Sequence, residues 1–136
     1  MNTVTRHFDF CAAHRLQHHD GKCRRLHGHN YVATIVVEGE IDPQTGMVVD
    51  FGTLKERVGE WIDKYWDHRT LLQRGDPYIE ALQPVVNWED GELYLFDRPP
   101  TAEVLAMYLQ QLVQSIGLSC VFVRVQETPK CSAESH

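Results

Sequence analysis

Apolar and polar positions alternate from residue 4 to residue 14, so Val4, Phe8, Phe10, Ala12 and His14 share one face of an extended segment. A second candidate strand, 27–38, sets His27, His29, Tyr31, Ala33, Ile35 and Val37 on one face. Paired antiparallel, the two strands bring His14 near His27 and His29 across a connection holding Gly21 and Cys23. Asp42-Pro43-Gln44-Thr45-Gly46 reads as a turn into a short third strand, Met47–Phe51. The period then lengthens. Leu54, Val58, Trp61, Ile62 and Tyr65 mark one helical face, and Thr53 with Glu56 is spaced as a capping box. Residues 101–116 predict a second amphipathic helix. Thr101 caps it after Pro99 and Pro100, Leu105, Tyr108, Leu109, Leu112 and Ile116 stripe it, and Gly117 ends it. In a last strand, 119–127, Val121, Val123 and Val125 share a face that Glu127 continues. Between the helices, Val85–Trp88 and Glu92–Phe96 flank Glu89-Asp90-Gly91 as a small hairpin. Hairpin connections without regular βαβ alternation predict an α+β fold: an antiparallel sheet with two helices on one face, in a single domain of residues 1–136.

The composition, 43% hydrophobic and 24% charged, is that of an ordinary globular chain long enough for one core. No apolar run reaches membrane-spanning length and the N-terminus lacks a signal pattern, so a cytoplasmic protein with no membrane partner is expected. A net charge of −6 argues against nucleic acid as the main partner. Within this acidic chain Arg15, Lys22, Arg24 and Arg25 form a local cationic patch, either a solvated loop or the dock of an anionic ligand. Cys11, Cys23, Cys120 and Cys131 include no CxxC pair and are expected as free thiols.

The densest chemistry lies in His14, Cys23, His27 and His29. Three neutral imidazoles suit Zn²⁺, and a site with three protein ligands leaves a fourth position open for substrate or water. A thiol beside such a site, flanked by Lys22 and Arg24, is favoured as the reactive thiolate. The blander reading, a histidine-rich loop that binds nothing, suits any one of these residues better than the whole cluster. Asp67-His68 alone reads as a helix C-terminal pair. Glu127 is either a solvated strand end or a carboxylate held for a ligand. Cys11, Cys120 and Cys131 have no sequence-local partner for chemistry. No Gly-rich dinucleotide fingerprint follows any strand.

Ala12-Ala13-His14-Arg15-Leu16, Cys23-x-x-x-His27-Gly28-His29, Gly46 through Lys55, Asp67-His68-Arg69, Pro100-Thr101-Ala102-Glu103 and Glu127-Thr128 occur in one order along most of the chain. This combination resembles the 6-pyruvoyl tetrahydropterin synthase and 6-carboxytetrahydropterin synthase family. The three residues between Cys23 and His27 look like the 6-carboxytetrahydropterin type, which serves queuosine biosynthesis. The resemblance implies a T-fold (tunnelling fold) whose subunits close their sheets into an oligomeric barrel, a hexamer or tetramer, with active sites between chains. It implies Zn²⁺ on His14, His27 and His29, Cys23 as the base, and Asp67 with His68 as the proton relay. It further implies Glu127 as the anchor of the pterin ring, supported by Thr101 and Glu103, with Arg24 among the substrate contacts. The implied substrate is 7,8-dihydroneopterin triphosphate, and the implied products are 6-carboxytetrahydropterin, acetaldehyde and triphosphate. Two departures stand out: residues 73–98 are long for this type, and the final strand is short or missing.

Two alternatives share the motifs. A pyruvoyl-forming synthase would use the same ligands and substrate but stop before carbon–carbon cleavage. A non-catalytic zinc module would take Cys23 as a fourth ligand and leave no open position.

Overall fold

A computed structural model describes all residues, 1–136. The alternating segments form β1 (Asn2–His14) and β2 (His27–Gly39), paired antiparallel with His14 opposite His27 and Ala12 opposite His29. β2 pairs antiparallel with β5 (Ser119–Thr128), and β5 with β6 (Cys131–Ser135), so the final strand is present and short. On the other side, β1 pairs with β3 (Arg69–Gln73) and β3 with β4 (Leu93–Phe96), both in parallel. The six strands run in the order β4-β3-β1-β2-β5-β6. The expected all-antiparallel sheet is therefore corrected to a mixed one. Helical crossovers precede β3 and β4, and such crossovers return a strand parallel to its neighbour.

The expected hairpin at 85–96 is also absent. The Thr70 amide donates to the Glu92 carbonyl at 2.8 Å, drawing the second half of that segment onto β3, while Val85–Trp88 forms turns on the surface. The linker between β3 and β4 carries a short helix, α3 (Pro77–Leu82), started by Asp76, whose carboxylate accepts from the Tyr78 amide. Met47–Phe51 is not a strand. Asp50 caps the helix earlier than Thr53 would, its carboxylate accepting from Gly52 N at 2.7 Å, and α1 begins at Phe51.

From there residues 51–65 form one helical rod: α1 (Phe51–Leu54), a π-helical turn (Lys55–Gly59) and α2 (Glu60–Tyr65). Gly59 is required by close approach, since a Cβ there would stand 2.6 Å from the Phe8 ring on β1. α4 (Ala102–Ser115) follows the prediction, with the Thr101 hydroxyl accepting from Val104 N and Gly117 at φ +86 beyond its end. The rod and α4 cover the same sheet face. Phe10, Tyr31, Ile35, Leu54, Ile62, Trp66, Leu105, Leu109 and Val123 make the core between them. His14 lies at the end of that buried face, 1% exposed. No helix is long and apolar enough to cross a membrane.

Candidate active site

The β1/β2 register aims three imidazoles at one point. His14 Nε2 lies 3.1 Å from His27 Nε2, and the ring of His29 stands 5.1 Å from that of His14 and 5.0 Å from that of His27. Backbone carbonyls orient two of them. His14 Nδ1–H donates to Pro100 O at 2.7 Å, and His27 Nδ1–H to Arg25 O at 2.6 Å, which leaves both Nε2 atoms as free lone pairs. His29 Nε2 is buried without a hydrogen-bond partner. Burial pushes the His14 imidazole down to about 4, with the nearby His27 and His29 adding to the shift against the Pro100 bond, and burial also lowers His29. Imidazole nitrogens that converge in this way, one of them orphaned, are what a cation needs. This donor set fits a divalent ion such as zinc.

Glu127 reaches the same point from β5. Its two oxygens lie 3.9 Å from His14 Nε2 and 3.8 Å from His29 Nε2, on a side chain one-quarter exposed. Tyr31 lies beneath them, its hydroxyl 3.3 Å from His14 Nδ1 and its ionisation pushed up by burial.

Cys23 sits in a 3-10 turn (Lys22–Arg24), held against the end of β1 by Leu16 N donating to Cys23 O at 2.9 Å. Its thiol does not belong to the group of ligand atoms around His14 that lie within 4.8 Å of one another, which comprises the three imidazoles. Lys22, Arg24 and Arg25 line an exposed polar concavity beside it. Arg15 leaves the expected cationic patch. It is buried, bonded by Nε and Nη2 to Asp76 at 2.8 and 2.7 Å, and stacked 3.7 Å over the Tyr78 ring. A guanidinium neutralised in this way is not available to an anion.

Asp67 and His68 form a separate group in the turn between α2 and β3. Asp67 Oδ2 accepts from His68 Nδ1 at 2.9 Å, and Asp67 Oδ1 from the Cys11 amide at 3.0 Å. His68 N donates to Cys11 O at 2.6 Å and holds φ +60, the chain's only positive φ outside glycine. The Cys11 sulfur lies 3.5 Å from His68 Nε2. Cys11 has no sequence-local partner, but the fold gives it one 57 residues away that no local spacing reveals. Alternation along β1 turns Cys11 to the face opposite Phe10, Ala12 and His14. The Asp67–His68 pair and the imidazole trio thus stand on opposite faces of the strand. Thr101 is occupied as the α4 cap, and Glu103 is exposed on the first turn of that helix.

The family profile described as 6-pyruvoyl tetrahydropterin synthase matches residues 3–136. The chain belongs to that family. Over 126 residues it is 41% identical to a probable 6-carboxy-5,6,7,8-tetrahydropterin synthase of Halobacterium salinarum, covering 90% of this chain and 78% of the relative. Over 139 residues it is 35% identical to the 6-carboxy-5,6,7,8-tetrahydropterin synthase of Rickettsia bellii, covering 98% and 99%. Among solved structures, an uncharacterized protein of Wolinella succinogenes superposes with a TM-score of 0.84 at 25% identity, over 99% of this chain and 97% of that one. The 6-pyruvoyl tetrahydropterin synthase of Caenorhabditis elegans superposes at 0.69 with 29% identity, over 98% and 94%. The architecture is the T-fold that the sequence resemblance implied.

Proposed function

We propose that this family member is a zinc-dependent lyase. It converts 7,8-dihydroneopterin triphosphate and one water to 6-carboxy-5,6,7,8-tetrahydropterin, acetaldehyde and triphosphate, as a cytoplasmic step toward queuosine. The observation that carries the reading is a convergent imidazole trio, with His14 fully buried and Glu127 on its rim, in a chain 35% identical over 98% of its length to a protein named for that product. His14, His27 and His29 would hold the zinc, which as a Lewis acid polarises the side-chain oxygens of the substrate and acidifies the adjacent carbon-bound proton.

The protein's own groups divide the rest. Glu127 accepts two hydrogen bonds from the ring N–H and amino group of the pterin. Lys22, Arg24 and Arg25 face the triphosphate from the concavity beside Cys23. The Cys23 sulfur removes the carbon-bound proton, a role worth roughly a hundredfold to ten-thousandfold in rate. Asp67 fixes the His68 ring through Nδ1 so that Nε2 exchanges protons as the side chain rearranges. Oxidation of the side chain supplies the electrons that reduce the ring, so no nicotinamide enters. Because His68 and the trio occupy opposite faces of β1, the relay serves a neighbouring copy's trio in a homo-oligomer. The unpaired outer edges of β4 and β6 favour such association.

Mass analysis of the products formed from dihydroneopterin triphosphate by zinc-loaded protein tests the assignment. 6-Carboxytetrahydropterin with acetaldehyde is expected. A 6-pyruvoyl product retaining all side-chain carbons would favour the second reading, which the C. elegans structural likeness supports. No turnover at all would leave a metal-binding module.

A further inference from the structure

Cys11 belongs neither to the imidazole trio nor to any motif of the family resemblance, yet its thiol faces the relay pair directly. The sulfur lies 3.7 Å from Nδ1 and 3.5 Å from Nε2 of His68. One ligand atom from each of Cys11, Asp67 and His68 lies within 4.8 Å of the other two. With metal–sulfur and metal–nitrogen bonds of about 2.3 and 2.0–2.1 Å, tetrahedral ligands sit about 3.6 Å apart. The 3.5 Å separation from Nε2 matches that value, and a turn of the exposed His68 ring brings the Nε2 lone pair toward the ion.

We infer that Cys11, His68 and Asp67 form a second, thiolate-containing site for a soft or borderline divalent cation of the zinc and cadmium class. A sulfur ligand selects such ions over magnesium or calcium. Either ring nitrogen can approach the sulfur's ion. Asp67 is then a third ligand beside Nδ1, or the carboxylate that orients the ring while Nε2 binds. The frame is already set: Cys11 N donates to Asp67, His68 N donates to Cys11 O, and together they hold His68 in its left-handed conformation. Access is open, because Cys11 and His68 line a surface cavity with Ala13, Gly28 and Asn30, and the His68 side chain is 77% exposed. An ion bound there occupies the lone pair of His68, so excess zinc inhibits a protein whose trio is already filled. That inhibition rests on the function proposed above; the site itself does not.

Protein carrying one zinc per chain is titrated with Cd²⁺ while the near-ultraviolet thiolate-to-cadmium charge-transfer absorption is followed. An all-nitrogen trio cannot give this signal. A further equivalent with the sulfur signal is expected in the wild type, in Cys23→Ser and in Cys131→Ser. Cys11→Ser should lose the signal, and Asp67→Asn and His68→Asn should weaken uptake by roughly 10- to 100-fold. The double change His27→Ala with His29→Ala should abolish the first site and leave the Cys11 signal in place, which separates this site from the trio. No sulfur signal in the wild type overturns the inference. So does a signal that survives Cys11→Ser or that ignores His68→Asn.

Discussion

Arg15 and Asp76 are joined by two charge-assisted hydrogen bonds, Nε to Oδ2 at 2.8 Å and Nη2 to Oδ1 at 2.7 Å, with both residues buried. The guanidinium also donates through Nη1 to the carbonyl of Arg24 at 3.1 Å. One side chain thus fastens three pieces: the residue after His14, the turn that carries Cys23, and the start of the segment 73–98. That segment has a structural use here, since it supplies the Asp76 carboxylate that balances Arg15. Asp76 in addition caps α3.

Removing the carboxylate leaves a buried guanidinium unpaired. Asp76→Ala should therefore cost on the order of 3 kcal/mol in unfolding free energy, measured by urea denaturation. Arg15→Lys should also destabilise, because an ammonium cannot make the two-pronged bond and reach Arg24 O as well. Wild-type stability in Asp76→Ala would show that the pair does not hold the loop.

The strands bearing His14, His27 and His29 were legible because a period of two places alternate residues on one face, and the antiparallel register then follows from a short connection. The helix 102–115 was legible from its stripe, its threonine cap and its terminal glycine. Other features were not. Asp50 displaced Thr53 as a cap because both residue types can accept from a helix amide, and only the backbone path decides between them. The parallel placement of β3 and β4 depends on where their crossovers pack, which a strand's own residues do not encode. Arg15 looked like a free cation because its partner lies 61 residues away. The orienting contacts from Pro100 and Arg25 use backbone carbonyls, and these carry no sequence signature.

His14 gives the metal-free protein a defined acid response. Its imidazole is pushed from an ordinary value of 6.5 to about 4, mainly by burial, so between these values the unfolded chain binds the proton that the folded chain refuses. Stability is then complete above about pH 6.5 and falls as pH drops toward 4, by up to roughly 3 kcal/mol from this residue. The lowered His29 acts in the same direction. Urea midpoints of chelator-treated protein at neutral and mildly acidic pH test the sign. Stability that rises on acidification over this range would contradict it.

Opposite placement of Cys11 and His14 on β1 makes a prediction about assembly. Light scattering should show a homo-oligomer, a hexamer or tetramer. Cys23→Ala and His68→Asn should each be inactive while retaining the zinc held by the three imidazoles. Subunits of the two variants, mixed and reassembled, should regain activity, because some sites then combine an intact thiol with an intact relay from the neighbouring chain. Silence of the mixed oligomers would place both groups in one chain's site and refute the exchange. Zinc loss in Cys23→Ala would point instead to a four-ligand structural centre.

Glu127 decides whether a pterin is the ligand. It follows Val123 and Val125, both fully buried, and its oxygens stand 3.8 and 3.9 Å from the nitrogens of His29 and His14. A carboxylate held there without donors to satisfy it is costly, and neutral imidazoles whose lone pairs face a metal supply none. The ring N–H and amino group of a pterin provide two donors side by side. Glu127→Gln preserves the shape, removes the charge and turns one acceptor into a donor, which mismatches that edge of the ring. Calorimetric titration of dihydroneopterin triphosphate into the inactive Cys23→Ala protein, with and without Glu127→Gln, measures the effect free of turnover. Loss of a charged hydrogen-bond acceptor should weaken binding by about 1.5–3 kcal/mol, or roughly 10- to 100-fold, with zinc content and oligomer size unchanged. Equal affinities in the two proteins would remove Glu127 from the substrate site, while a loss of zinc in Glu127→Gln would assign the carboxylate to the metal rather than to the ring.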